Sequence, residues 1–218
     1  MFVRECWKPH SEEEIFDLVE KNPWGLLVSN GLSESAFAGP FATNLPFVLD
    51  RSSRTLTSHL SRSNEHAAAL LAGTAPVLAI FEGPHSYVTA SWYPEHSMPS
   101  TVYYTAVHCY GTLRFHDHDA LRAALEELTT LSEQQFPDGW KTSDIPESEI
   151  TRRLPHILGF ELKIEKLEAK FKLGQDEPRR DAMAVAEKLL TSENPQDRLL
   201  GEMTRRYNEN RPLKPVKN

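Results

Sequence analysis

One short segment of the sequence carries side chains suited to binding an anion. In HLSRSN, His59, Arg62 and Asn64 fall where a predicted strand turns into a predicted helix. The free N–H groups of a helix start and a guanidinium group both favour phosphate. The same stretch also fits an ordinary helix cap made by Ser61 or Ser63, with Arg62 in solvent. The segment therefore predicts either a phosphate site or a plain cap.

A second candidate is the segment GPHSYVTASWYP, which places Trp92 and Tyr93 in a predicted loop. Burial alone does not demand two large rings in a loop. Aromatic rings and hydroxyl groups beside a barrel mouth suit a planar ligand. The alternative is a hydrophobic plug over the end of the barrel.

A third candidate lies near the end of the last predicted strand. In KLEAKFKLGQ, Lys170 and Lys172 share a strand face around Phe171. Two lysines on one face repel each other unless an anion or a carboxylate lies between them. A solvated face is the simpler interpretation of the same pattern.

The other reactive residue types favour structural roles. His116-Asp117-His118-Asp119 resembles a metal site, yet it lies where a strand gives way to a helix, and an aspartate there caps the helix. His108 and Cys109 are adjacent on a strand, so their side chains face opposite sides of the sheet. The common phosphate-binding, dinucleotide-binding, zinc-protease and serine-hydrolase motifs are absent. If a reaction exists, His108 and Tyr104 are the catalytic candidates, although a strand histidine also serves structure.

Composition and charge exclude several classes of protein. The 218 residues carry a net charge of −7, which is unevenly distributed. Residues 198–218, the basic tail, hold six basic and two acidic side chains, whereas residues 1–197, the acidic body, hold 18 basic and 29 acidic ones. An acidic body argues against direct DNA binding, and the basic tail fits a solvated helix and a frayed end. Cys6 and Cys109 are too few for a disulfide scaffold. With no long apolar run and no signal-peptide pattern, we expect a cytoplasmic protein without a membrane contact.

Hydrophobic periodicity predicts an α+β fold. A helix begins at a Ser11–Glu14 capping box and ends at Asn22-Pro23. Strands are predicted over residues 24–30, 42–50, 55–59, 75–83, 86–89, 101–115 and 159–173, and further helices over 64–72, 116–136, 146–153, 180–190 and 195–207. Because the early strands lack a helix between each pair, the sheet is predicted to be antiparallel, a barrel flanked by helices. Gly111 is expected to mark a bulge or a close backbone approach.

Seven stretches occur in the order of a known family: NPWGLLVSNG, GPFATNLPF, HLSRSN, FEGPHSYVTASWYP, AVHCYG, WKTSDIPE and GFELKIEKLEAKFKLGQ. They resemble the PaiB family of FMN-binding negative transcriptional regulators, members of the FMN-binding split-barrel superfamily. The resemblance implies an antiparallel split β-barrel domain over residues 1–190, followed by a C-terminal helix and basic tail over 191–218. It also implies a homodimer with ligand sites between subunits.

The resemblance further implies which side chains hold FMN. The flavin phosphate would contact His59, Arg62 and Asn64. The isoalloxazine ring would be lined by a larger set, namely Thr43, Tyr87, Ser91, Trp92 and Tyr93, and the same cleft would be reached by Lys170, Lys172 and Gln175. With FMN bound, the protein would act as a flavin-dependent oxidoreductase or a flavin-linked regulator.

The sequence departs from the family pattern at several of these positions. Val102 and Tyr103 stand where the family commonly has Trp and Asn, and Asn44 stands where it often has His. Ala169 and Phe171 replace a usual Gly and Trp. These changes leave two alternatives open: an altered cavity that binds another small molecule, haem included, or a biosynthetic enzyme without a cofactor. A transcriptional regulator, which the family name suggests, is a third alternative.

Overall fold

The computed structural model describes residues 1–31, 39–73, 75–96 and 98–212. The predicted loop over residues 32–39 lies almost wholly outside them. The strands are β1 (Trp24–Ser29), β2 (Phe41–Pro46), β3 (Val48–Asp50), β4 (Thr55–Ser61), β5 (Val77–Val88), β6 (Thr101–Phe115) and β7 (Ile157–Lys172). The α-helices are α1 (Glu12–Lys21), α2 (Glu65–Ala72), α3 (His118–Glu133), α4 (Glu147–Arg153), α5 (Arg179–Leu190) and α6 (Pro195–Asn208). None of these helices is both long and apolar enough to span a bilayer.

The strands form one antiparallel sheet in the order β2-β1-β5-β6-β7-β4-β3. The predicted α+β class with an antiparallel sheet is confirmed. Pro46 is the last residue of β2, which is an edge strand, so its missing N–H removes no hydrogen bond between strands. Gly111 is the predicted close approach: a Cβ there would lie 1.8 Å from the carbonyl oxygen of Lys163.

Two strand predictions were wrong. The strand expected over residues 42–50 is divided at Phe47, whose N–H donates to the Pro23 carbonyl at 2.9 Å and whose ring packs into the core 5.3 Å from that of Phe81. The strands expected over 75–83 and 86–89 are one, because Gly83 and Pro84 stay extended and buried. The Thr105 hydroxyl donates to the Pro84 carbonyl at 3.4 Å, and a Cβ on Gly83 would lie 2.3 Å from the same oxygen, so this stretch lies close against β6.

The described chain divides into two compact units. Unit 2 comprises Val19–Phe81 and His108–Leu167, and its core contains Phe47, Phe81 and Phe160. The buried leucines at the inward positions of β4 complete this core.

Unit 1 comprises Met1–Leu18, Glu82–Val107 and Glu168–Asn218. Helices α5 and α6 pack closely in it, with Gly201 against Leu190. The Tyr207 hydroxyl of α6 donates to Glu14 of α1. Trp7 Nε1 donates to Asp176 Oδ1 at 3.1 Å. A domain boundary at residue 190 stays a prediction.

Candidate functional site

The turn from β4 into α2 is built around Asn64. Asn64 Oδ1 accepts the His66 N–H at 3.0 Å, so Asn64 is the cap of α2. The segment thus forms a plain helix cap, one of the two predicted alternatives, but the assignment of that cap to Ser61 or Ser63 was wrong. Their hydroxyls lie 2.8 Å from each other instead, because Ser61 Oγ closes the turn by accepting the Ser63 N–H.

Arg62 projects from this turn with part of its guanidinium already positioned. Its Nε donates to the Ile157 carbonyl at 3.1 Å, and its backbone N–H donates to the His156 carbonyl at 2.9 Å. Within the part of the chain that the structure describes, the terminal nitrogens of this exposed side chain bond no protein group. They remain available to an anion.

His59 lies on the less buried face of β4. Burial alternates along the strand, with Leu56, Ser58 and Leu60 facing the core and His59 opposite them. Partial burial lowers the pKa of His59 because it disfavours the charged ring. His59 is therefore neutral near pH 7 and offers one N–H donor and one acceptor.

His66 was not singled out by the sequence, although it lies two residues beyond the HLSRSN segment. Its side chain is fully buried, with Nδ1 2.8 Å from Thr43 Oγ1 and Nε2 3.0 Å from Ser29 Oγ. The ring stacks on Phe41 at 5.4 Å, and burial lowers its pKa. His66 thereby joins α2 to β1 and β2. Thr43 and Asn64, two predicted FMN ligands, both contact this one residue.

Unit 2 also contains a cavity of about 360 Å³ beside α2. This volume lies within the range of small-molecule pockets. The lining is mostly apolar, with a few hydroxyl and amide groups: Ser29, Asn30, Gly31, Ala69, Leu70, Gly73, Ala75, Val77, Thr112, Leu113 and Phe115. Ser29 connects the cavity to His66, because it lines the cavity and its hydroxyl lies within hydrogen-bond distance of the His66 ring.

The aromatic segment of unit 1 divides into a buried and an exposed part. Tyr93 is buried, and its hydroxyl donates to Glu177 Oε1 at 3.2 Å, while Tyr103 donates to Oε2 of the same carboxyl. Burial raises the pKa of both phenols and of the Glu177 carboxyl. By contrast, the Tyr87 side chain is 62% exposed.

Trp92 ends a short 3-10 helix, Ala90–Trp92, and is half-buried. The hydroxyl of Thr89 caps this turn by accepting the Ser91 N–H. Ser91 is exposed, and its Oγ lies 3.1 Å from Thr89 Oγ1. The flavin contacts expected of Ser91, Trp92, Tyr93 and Tyr87 stay predictions.

The end of β7 places Lys170 and Lys172 on one face, as predicted. The Trp7 ring lies beneath both ammonium groups, 4.6 Å from Lys170 Nζ and 6.0 Å from Lys172 Nζ. The Gln175 side chain is hydrogen-bonded within the turn that follows β7. Its Nε2 donates to the Phe171 carbonyl at 2.6 Å, and its Oε1 accepts the Leu173 N–H at 2.7 Å. Whether these three polar residues reach a flavin stays a prediction.

The two catalytic candidates lie in different units. In unit 2, His108 is half-buried with Nδ1 3.5 Å from the Tyr110 hydroxyl. In unit 1, the Tyr104 ring lies 5.1 Å from Lys170 Nζ. Cys109 is fully buried, which raises its pKa to about 12 and keeps it a thiol, so the sequence was right to discount it as a nucleophile beside His108.

The His116–Asp119 stretch caps α3. Asp117 Oδ1 accepts the Ala120 N–H at 2.9 Å, as expected of a helix cap. Across residues 1–31, 39–73, 75–96 and 98–212, no three His, Cys, Asp or Glu side chains are grouped to hold a metal ion.

Comparison with known proteins decides the family. Residues 1–166 match the model of a family described as "Putative FMN-binding domain". The chain is 32% identical over 212 residues to the Bacillus subtilis "Protease synthase and sporulation protein PAI 2", covering 93% of this chain and 96% of the relative. The chain belongs to the PaiB-type FMN-binding domain family. Membership of this PaiB-type family confirms the resemblance given by the seven stretches.

Solved structures agree on the fold of this PaiB-type chain. It is similar to the "FAD and Heme binding protein" of Mycobacterium smegmatis, with a TM-score of 0.59 at 21% identity over 76% of this chain and 73% of that one. It is also similar to the "Flavocytochrome Anf3" of Azotobacter vinelandii, with a TM-score of 0.56 at 14% identity over 76% of this chain and 69% of that one. These similarities support the split-barrel fold.

Proposed function

We propose that this chain binds FMN in unit 2 and uses it in flavin-linked oxidoreductase chemistry. The observation that carries the proposal is that, in the described structure, both terminal nitrogens of Arg62 lack a protein partner. The chain also belongs to a family described as an FMN-binding domain. A phosphate would complete this guanidinium with charge-assisted hydrogen bonds. The start of α2, a few residues on, adds a favourable dipole for the same negative charge.

The flavin ring is assigned to the neighbourhood of His66. Thr43 and Ser29 hold this imidazole from both sides, and Ser29 also lines the 360 Å³ cavity. A mostly apolar cavity with a few hydroxyl groups suits a planar heterocycle. Asn44 is exposed on the edge strand β2, where it can offer an amide to the flavin in place of the usual His.

Bound FMN would supply the hydride and electron transfer, and the protein would orient it and exclude water. His108 and Tyr104 remain the first residues to substitute once a reaction is known. We also propose the homodimer implied by the family resemblance and the cytoplasmic location expected from the sequence. The acidic body favours a metabolic or sensing role over direct reading of DNA.

The test is the visible absorption spectrum of the purified protein, before and after excess FMN and desalting. We expect a retained flavin spectrum, at least ~10-fold weaker FMN binding in Arg62→Ala because a charge-assisted contact is lost, and wild-type binding in Arg152→Ala. Arg152 is a matched control because it is exposed in unit 2 and pairs with Glu149, one turn away on α4. A colourless protein that retains no flavin would refute the proposal. A haem spectrum would instead support the alternative that the altered cavity binds haem.

A further inference from the structure

Unit 2 contains a second cavity, which the flavin site proposed above does not use. It is formed by α3, α4 and the segments that follow each of these helices, and its volume is about 190 Å³. This is below the ~300 Å³ at which pockets for drug-sized ligands begin, so the cavity suits a smaller molecule. We call it the α3–α4 cavity. Six apolar side chains line it: Leu125, Trp140, Ile145, Ile150, Leu154 and Ile157.

Most of these apolar side chains remain partly in contact with water. Leu125, Ile145, Ile150 and Ile157 are half-buried, and the Trp140 side chain is 42% exposed. A ligand with an apolar group would remove this surface from water, which is favourable. The lining therefore favours an apolar group of modest size.

Hydrogen bonds around the cavity connect its walls. Arg122 Nη2 of α3 donates to Glu147 Oε2 of α4 at 2.7 Å, which joins the two helices. The Trp140 N–H donates to Glu133 Oε2 at 3.0 Å, which holds the Trp140 segment to the end of α3. Walls that are already connected reduce the ordering that a ligand must impose when it binds.

An arginine on the cavity wall has unused hydrogen-bond donors. Arg153 Nη2 donates to Glu149 Oε2 at 3.3 Å, but this oxygen also accepts Arg152 Nη2 at 2.7 Å. Within the residues that the structure describes, Arg153 Nε and Nη1 bond no other group. Because two guanidinium groups share one carboxylate, one positive charge is in excess here.

A glutamate on the same cavity wall provides the opposite charge. Glu126 Oε1 accepts Arg122 Nε at 3.1 Å, whereas Glu126 Oε2 accepts no hydrogen bond from the described part of the chain. Arg122 also pairs with Glu147, so one guanidinium serves two carboxylates. The cavity thus combines an apolar lining with a positive excess at Arg153 and a negative excess at Glu126.

We propose that the α3–α4 cavity binds an apolar α-amino acid as its zwitterion. The carboxylate of the amino acid accepts hydrogen bonds from Arg153, and its ammonium group donates to Glu126 Oε2. Its side chain lies against the apolar lining. A carboxylic acid without an amino group would leave Glu126 unmatched, and an amine without a carboxylate would leave Arg153 unmatched. The inference does not depend on flavin binding in unit 2.

Indole N–H resonances in a ¹⁵N NMR spectrum provide the test, with L-leucine as the probe. The protein has four tryptophans, and Trp140→Phe identifies the resonance at the cavity. L-Leucine should shift the Trp140 resonance in a saturable way. The exposed Trp24 does not line the cavity and should not shift.

Two analogues of L-leucine test the chemistry of the ligand in the wild-type protein. L-Serine has the same zwitterion without an apolar side chain, and 4-methylpentanoate has the same apolar group and carboxylate without an amino group. Each should bind at least ~10-fold more weakly than L-leucine, because it lacks either the apolar contact or one charge-assisted hydrogen bond.

Charge-neutral variants test the two ionic contacts. Arg153→Gln and Glu126→Gln should each weaken L-leucine binding at least ~10-fold, because a charge-assisted hydrogen bond is lost. Arg152→Gln and Glu127→Gln are their matched controls, since both residues are exposed sequence neighbours that do not line the cavity. These controls should bind L-leucine as the wild type does. Circular dichroism checks the folding of each variant, and the analogue series needs no variant.

Three results would overturn the proposal. The first is a Trp140 resonance that does not respond to L-leucine. The second is binding of 4-methylpentanoate as tight as that of L-leucine, or an equal loss of L-leucine binding in Arg153→Gln and Arg152→Gln. The third is a Trp140 resonance that shifts with protein concentration but not with L-leucine, which would assign the cavity to contact between copies of the chain.

Discussion

At the scale of single residues, the candidate site of unit 2 depends on a histidine that stays neutral. His66 is enclosed by Phe41, Ser29 and Thr43, and two hydroxyl groups use both of its ring nitrogens. A neutral imidazole has one donor and one acceptor, which this pair of hydroxyls satisfies. Protonation would turn the acceptor into a donor and place a charge in a buried site.

The pH dependence of stability follows from this burial. Because the pKa of His66 is lowered in the folded protein, the unfolded chain binds the proton more readily. The stabilisation is complete above the unfolded pKa of about 6.5 and is lost as the pH falls from there through the lower folded pKa. We expect urea unfolding to show a larger loss of stability between pH 7.5 and 5.5 in the wild type than in His66→Gln. Parallel pH profiles would contradict this, because the two proteins share every other titrating group.

At the scale of elements, β6 and β7 approach so closely at Gly111 that no side chain fits. In Gly111→Ala, the new Cβ would meet the Lys163 carbonyl at 1.8 Å, so the strands must separate locally. We expect a loss of about 1–3 kcal/mol in the free energy of unfolding, as for overpacked cores.

Gly73→Ala is the control for Gly111→Ala. It adds the same atom at the end of α2, 3.1 Å from the Ala69 carbonyl, where a small shift suffices. Its effect on unfolding by urea should be clearly smaller. Equal losses in the two variants would show that the contact at Gly111 is not the cause.

The elements also show how far the sequence could predict this structure. Thr101–Phe115 was predicted residue for residue, because its strand pattern is local. The division predicted between residues 83 and 86 is absent from β5, and the Thr105 side chain that packs beside Gly83 is remote in sequence. The same limit applies to the sites. The shared face of Lys170 and Lys172 follows from strand alternation, but Trp7 beneath them comes from a distant segment.

At the scale of the whole molecule, the described end of the chain is tied into unit 1 by Arg211. Its guanidinium donates to the carbonyls of Gln175, Gly174 and Glu177, and burial lowers its pKa. The turn that it holds also presents the Glu177 carboxyl to Tyr93 and Tyr103. Arg211, which follows α6, thus supports the turn that carries the partner of the buried tyrosine pair.

Removal of this side chain should destabilise unit 1. In Arg211→Met, three carbonyls lose a charged donor, and we expect a loss of about 2 kcal/mol or more in the free energy of unfolding. Arg205→Met removes an exposed ion pair with Glu187 and should cost less than about 1 kcal/mol. Urea denaturation followed by far-UV circular dichroism measures both. Similar values for the two variants would refute the anchoring role.

The pairing of Glu14 with Tyr207 has a consequence for synthesis on the ribosome. Domains generally fold as they emerge, N-terminal part first. Here the Met1–Leu18 segment of unit 1 gains its contacts to Asp176 and Tyr207 only after those residues have left the exit tunnel. During most of translation, Trp7 therefore lacks its Asp176 partner and Glu14 lacks its Tyr207 partner. A ribosome stalled before Tyr207 would display that segment to chaperones and proteases.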